Sequence, residues 1–154
     1  MAIALIGTCA ALAAAQETAS PSVVITEVEV NPAGFDTSAE WVELLNTGDE
    51  TVDLAGWAIS YSYRGPGALP ITGASLSLPP GGRLVFVYPG LRLRNAGSTA
   101  ISLFDSEGIL VDQTPAMPDA EDDGGTWQRF PDGGDPNFPG FWLFLPATRN
   151  AVNE

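Results

Sequence analysis

Glu40-Trp41-Val42-Glu43-Leu44-Leu45-Asn46, the turn Thr47-Gly48-Asp49-Glu50, and then Val52-Asp53-Leu54-Ala55-Gly56-Trp57-Ala58-Ile59 form the stretch that decides the fold. Successive side chains of a strand point to opposite faces, so Val42 and Leu44 share one face while Trp41, Glu43 and Leu45 share the other. Beyond Gly56 the same period of two continues, with Trp57, Ile59, Tyr61 and Tyr63 down one face. Neither half carries a sustained helical period.

The pattern extends in both directions. Upstream, Val23–Val30 is rich in β-branched residues; simple alternation puts Val24, Val28 and Val30 on one face and Glu27 and Glu29 on the other. Asn31-Pro32-Ala33-Gly34 ends that strand, because proline cannot donate to a ladder. Downstream, a loop over Arg64–Gly73 precedes Leu76 and Leu78, and Pro79-Pro80-Gly81-Gly82 turns into Arg83–Tyr88. That near-continuous apolar run is what a central strand requires. Thr99–Phe104 and Ile109–Asp112 flank Asp105-Ser106-Glu107-Gly108, which predicts a type I hairpin turn with Gly108 in the left-handed conformation. A polar stretch (Gln113–Gly125), a strand over Thr126–Phe130 and an aromatic run (Phe138–Leu145) complete the chain. Short strands at this turn spacing predict a single all-β domain, a sandwich or barrel.

Composition narrows the function. The chain has 154 residues, with 6 Lys+Arg against 19 Asp+Glu, no histidine and a formal charge of -13. All the cations are arginines, and they are scattered, so the clustered positive charge that neutralises phosphates or anionic membrane surfaces is missing. Nucleic-acid binding is therefore not expected. High net charge favours solubility, and a high-salt habitat is one setting for it. The apolar stretch Met1–Ala15 is too short to span a bilayer and ends in an A-x-A site at Ala13 and Ala15, which predicts a signal peptide over residues 1–15. No Lys or Arg precedes it, so its charged start is missing or lies upstream. A linker over 16–22 and a domain over 23–154 follow, with no later stretch long and apolar enough for a membrane span. The one cysteine, Cys9, lies in the signal; anchoring of the chain through a lipid on Cys9 is the lesser alternative, since Ile6-Gly7-Thr8 is a poor run-up. The mature domain then has no thiol for a disulfide or a metal.

In order and content these segments resemble the lamin tail domain, an immunoglobulin-like β-sandwich found in nuclear lamins and in exported prokaryotic proteins. The resemblance rests on Ile25-Thr26-Glu27-Val28 with Asn31-Pro32, on Glu40–Asn46, and on Val52–Ile59. Leu78–Gly82, the hairpin from Gly97 to Asp112, and Thr126–Gly133 extend it over nearly the whole chain after the signal. Where the family pattern closes T-P-G-x-x-N, this chain has Thr148-Arg149-Asn150-Ala151-Val152-Asn153, a departure that bears on the last turn. The resemblance implies a recognition or assembly module and no active site. The chromatin contacts of lamins do not transfer to an acidic, exported chain.

The residues agree with that. Without histidine or a mature cysteine there is no Ser-His-Asp or Cys-His arrangement and no ordinary zinc site, and without lysine there is no phosphate loop. Carboxylates remain. Glu27 and Glu29 lie about 6.8 Å apart at strand rise, a spacing compatible with a hydrolase pair, though any solvated E-x-E strand face has it. Glu40 is expected to accept from a neighbouring backbone N–H or an arginine. Asp119, Glu121 and Asp123, with Gly124 at the sixth place, match part of a calcium loop, with Asp132 and Asp135 as further oxygen donors; Phe130 stands where the bidentate glutamate belongs. Trp41, Trp57 and Trp127 are expected in the core. Phe138, Phe141, Trp142 and Phe144 offer either a last core strand or an exposed patch.

The sequence therefore predicts no catalytic, cofactor-binding or metal residue and an exported binding or assembly module. Its partner would be a protein or carbohydrate at the cell surface, met through Gln113–Gly125 and Phe138–Leu145. A calcium-stabilised module and a carboxylate hydrolase are the alternatives, and no oligomeric state follows.

Overall fold

A computed structural model describes residues 22–36, 39–62, 68–73, 75–87, 93–95, 97–133 and 142–153. Among them there is no helix. The larger sheet runs β13-β12-β1-β2-β7, built from β1 (Val23–Glu29), β2 (Trp41–Asn46), β7 (Arg83–Phe86), β12 (Gly125–Arg129) and β13 (Trp142–Pro146). The second runs β10-β9-β4-β5, from β4 (Ala58–Tyr61), β5 (Ala68–Pro70), β9 (Ile101–Phe104) and β10 (Leu110–Gln113). Two short ladders join β3 (Val52–Asp53) to β6 (Ser77–Leu78) and β8 (Ser98–Thr99) to β11 (Met117–Pro118). Every strand pairing is antiparallel.

The core lies between the two main sheets. Ile25, Val28, Val42, Leu44, Phe86 and Trp142 come from one sheet; Ile59, Tyr61, Ile101 and Leu103 come from the other. The alternation of β2 and β4 holds as read. That of β1 does not, because the register with β2 slips between Ile25 and Glu27. An extra residue reverses which side chains face inward. Val23 and Ile25 therefore enter the core before the slip and Val28 and Val30 after it, while Val24, though buried, stays outside the cluster.

Two further expectations change. The apolar run that begins at Arg83 forms β7 at the edge of the described sheet, not its centre; β1 and β2 hold the inner positions. As an edge strand the run is only partly covered: Leu84 and Val85 are half-buried, Phe86 is buried and Val87 is exposed. Residues 68–70 of the expected loop pair with β4. The Asp105–Gly108 hairpin is as expected: the Gly108 N–H donates to the Asp105 carbonyl at 3.1 Å, and Gly108 has φ +80. Tyr63 lies outside the described residues.

Candidate functional site

The outer face of the larger sheet carries polar side chains that are not solvated. Glu27 and Glu43, partners across β1 and β2, are fully buried. Glu27 Oε1 accepts from Thr126 Oγ1 (2.5 Å), from Gln128 Nε2 (3.3 Å) and from the Thr148 backbone N–H (2.8 Å). Its Oε2 accepts from Thr148 Oγ1 at 3.1 Å. Glu43 Oε1 accepts from Thr26 Oγ1 (3.0 Å) and Arg83 Nη1 (2.6 Å), and Oε2 from the Asn150 backbone N–H (2.6 Å). Arg83 also pairs with Asp132.

The cover is the C-terminal segment after β13. Its turn closes through the Ala151 N–H to the Thr148 carbonyl at 2.7 Å, with Asn150 at φ 62. That conformation suits glycine, and asparagine is among the few other residues that adopt it readily. The departure from the family's closing pattern is thus accommodated by asparagine at the glycine place. Asn153 completes the seal, its Nδ2 donating to the carbonyls of Thr26 and Arg129, both at 2.9 Å. Arg149 lies over the Trp41 ring, 5.3 Å from its centroid. Trp41 is therefore buried beneath this segment and is absent from the central cluster.

The hydrolase reading of Glu27 and Glu29 does not survive this geometry. Neither residue is on a solvated face; Glu27 is committed to the donors of the C-terminal turn and β12, and Glu29 is only 3% exposed. Sequence alternation could not reveal this, because the covering residue Thr148 lies 121 positions away from Glu27. Glu40 behaves as expected, its Oε1 accepting from the Leu93 N–H at 2.8 Å.

The calcium-loop reading is also corrected. Asp119 is buried, whereas Glu121 and Asp123 are exposed. Their oxygens turn back on the loop: Asp119 Oδ1 accepts from the Glu121 N–H (3.2 Å) and Asp123 Oδ1 from the Gly125 N–H (2.7 Å). Among the described residues no group of three or more Asp, Glu, Cys or His is arranged to hold a metal ion. Asp135 lies outside the described residues. The loop is fastened to the chain after β1 by Asn31 Nδ2 donating to the Glu121 carbonyl (2.8 Å), by the Gly34 N–H donating to Asp122 Oδ1 (2.6 Å), and by a Pro32–Asp123 bridge.

Between the sheets lies an ion pair that sequence reading missed. Arg129 Nη2 donates to Asp112 Oδ2 at 2.6 Å, and both side chains are fully buried. The same oxygen accepts from the Ile25 N–H at 2.7 Å, and the guanidinium sits 5.2 Å from the Trp142 ring centroid. Burial holds the Asp112 carboxyl above its ordinary range, although Arg129 and the N–H groups of Ile25 and Gln113 pull the other way.

Exposed large apolar side chains are spread over several parts of the described chain, among them Phe35, Ile109, Leu110 and Val152, and two adjacent ones lie on β13. Leu143 and Phe144 are 43% and 37% exposed, while Trp142 points into the core. The Phe144 ring meets Trp127 edge-on, with centroids 5.6 Å apart. It also covers Gly125 so closely that an added Cβ would stand 2.4 Å from the ring. Beside it Asp123, Gly124, Gly125, Leu145 and Pro146 border a shallow hollow of about 280 Å³, at the small end of ligand-site volumes. The expected contact surface is therefore retained only in part. Within Gln113–Gly125, Thr114, Met117 and Asp119 are buried, and within Phe138–Leu145, Trp142 is core; Phe138 and Phe141 lie outside the described residues.

Two antiparallel sheets enclosing one core, with the outer face of one sealed by the chain's own end, define an immunoglobulin-like β-sandwich. The chain belongs to the lamin tail domain family, whose family model matches residues 16–116. No curated protein matches the chain. The family is one of immunoglobulin-like structural and binding domains, and β12, β13 and the closing turn lie beyond the matched span. No helix of the described residues is long and apolar enough to cross a membrane.

Proposed function

We propose that this domain is a non-catalytic, exported binding or assembly module. Its contact surface is the β12–β13 edge of the larger sheet, and it meets a protein or carbohydrate at the cell surface. The observation that carries the reading is the pair formed by Phe144 and the partly buried Trp127 beside the Asp123–Gly125 corner, with Leu143 exposed on the opposite face of the same edge strand. Aromatic and aliphatic side chains with a polar rim are the ordinary composition of an interface core. Export is supported by the apolar Met1–Ala15 segment with its A-x-A end.

The test measures binding of the mature chain to the envelope fraction of the cells that produce it. The comparison is a Leu143→Ser/Phe144→Ser double variant whose melting curve shows that it still folds. A loss of about tenfold or more in affinity is expected from two interface anchors. Equal binding by wild type and variant would move the contact surface elsewhere.

A further inference from the structure

We propose that the C-terminal turn is a built-in competitor for an anionic groove on the larger sheet, and that when the turn lifts the groove takes an arginine-bearing peptide segment. The sheet supplies acceptors and the turn supplies donors. Glu27 receives the Thr148 N–H (2.8 Å) and hydroxyl (3.1 Å), Glu43 receives the Asn150 N–H (2.6 Å), and Arg149 lies 5.3 Å from the Trp41 ring centroid. Acceptors are left over even so: Gln128 Oε1 and Asp132 Oδ1, both buried, have no hydrogen-bond partner among the described residues. Gln128 adjoins Glu27 through Nε2 at 3.3 Å, and Asp132 shares Arg83 with Glu43, so both residues border the same groove.

The turn is held in a way that lets it come away. Residues 149–152 are exposed, Val152 at 60%, and Thr148 and Asn153 are fastened by hydrogen bonds. A segment that buries no apolar side chain opens at lower cost than the strands beneath it. With the turn lifted, Glu43 and Asp132 share Arg83, and Glu27 keeps only the neutral donors of Thr126 and Gln128. A guanidinium restores what the turn takes away: its forked N–H groups fit carboxylates, and its plane stacks on an indole, the place Arg149 holds over Trp41. Charge selects the occupant. A chain at -13 repels a second copy of itself and draws in a basic segment.

The test titrates hexa-arginine into the full wild-type chain and into the full chain carrying Asn153→Ala, at about 0.15 M salt. The substitution removes the side-chain bonds to the Thr26 and Arg129 carbonyls and to the Thr148 hydroxyl. It leaves the net charge unchanged, so non-specific attraction of the peptide is the same in both proteins. Losing those bonds raises the open fraction, and the apparent affinity for hexa-arginine should rise about tenfold or more. In the wild-type chain the peptide should move the resonances of the Trp41 indole and of residues 148–153. That footprint decides the matter alone if Asn153→Ala fails to fold. Affinities within about twofold of each other overturn the proposal. So does a wild-type footprint that omits Trp41 and the turn. Concentration-dependent dimerisation of Asn153→Ala without peptide overturns it too, by assigning the groove to a second copy.

Discussion

Replacing Asp112 by asparagine removes a charge while preserving shape, and the structure sets the size of the effect. The carboxylate is fully buried, 2.6 Å from Arg129 Nη2, with Oδ2 also accepting from Ile25 N (2.7 Å) and Oδ1 from Gln113 N (2.9 Å). An asparagine has one acceptor oxygen, so its NH2 must face at least one of these donors. Breaking a buried pair by neutralising one partner costs about 3–5 kcal/mol, since the other charge stays desolvated. For a chain of this length that corresponds to a fall in Tm of about 6–20 °C. Urea unfolding should show the midpoint falling with the m-value unchanged. The converse variant, Arg129→Met, should cost less, because burial already raises the Asp112 carboxyl and makes its neutral form accessible. The double variant Asp112→Asn/Arg129→Met should cost less than the sum of the two. An Asp112→Asn domain within about 1 kcal/mol of wild type would refute the view that this pair ties the sheets together.

The closing turn makes its own predictions. Thr148→Val removes the hydroxyl that donates to Glu27 Oε2 and accounts for about 1–2 kcal/mol by denaturant titration, with added exchange at 148–153. Asn150→Gly should leave stability within about 0.5 kcal/mol, whereas Asn150→Val should lose about 1–2 kcal/mol, because only the β-branched residue is strained at φ 62. Gly125→Ala drives a Cβ into the Phe144 ring, which is exposed enough to swing outward; the Trp127 emission should change while Tm moves by less than about 3 °C. Calcium added at constant ionic strength should leave the wild-type Tm unchanged, since the Asp119 Oδ1 and Asp123 Oδ1 oxygens cap the loop's own N–H groups.

Much of the fold was legible because it is written locally. Val42 and Leu44 face the core and Glu43 does not, as alternation requires. Gly108 marks its hairpin because only a residue free of Cβ strain is comfortable at φ +80. Asn46 closes the end of β2, its Nδ2 donating to the carbonyls of Glu50 and Leu78. The phase of β1 was not legible, since a bulge is one extra residue whose position depends on the facing strand. The buried carboxylates were hidden for a related reason. Glu27 and Glu43 are spaced like solvent-facing residues, and only their distant partners show that they are not.

By itself the sequence determined an all-β domain, its turns, its family resemblance and a side-chain repertoire without histidine or lysine, because alternation, turn chemistry and composition need no knowledge of what lies across space. Tertiary structure alone decided the fate of each polar group. Arg129 became the counter-charge of Asp112 between the sheets, and Glu27 and Glu43 became anchors for the last turn. Whether a carboxylate is solvated, paired or forced to keep its proton depends on what covers it, and in this chain the cover comes from segments about a hundred residues further on.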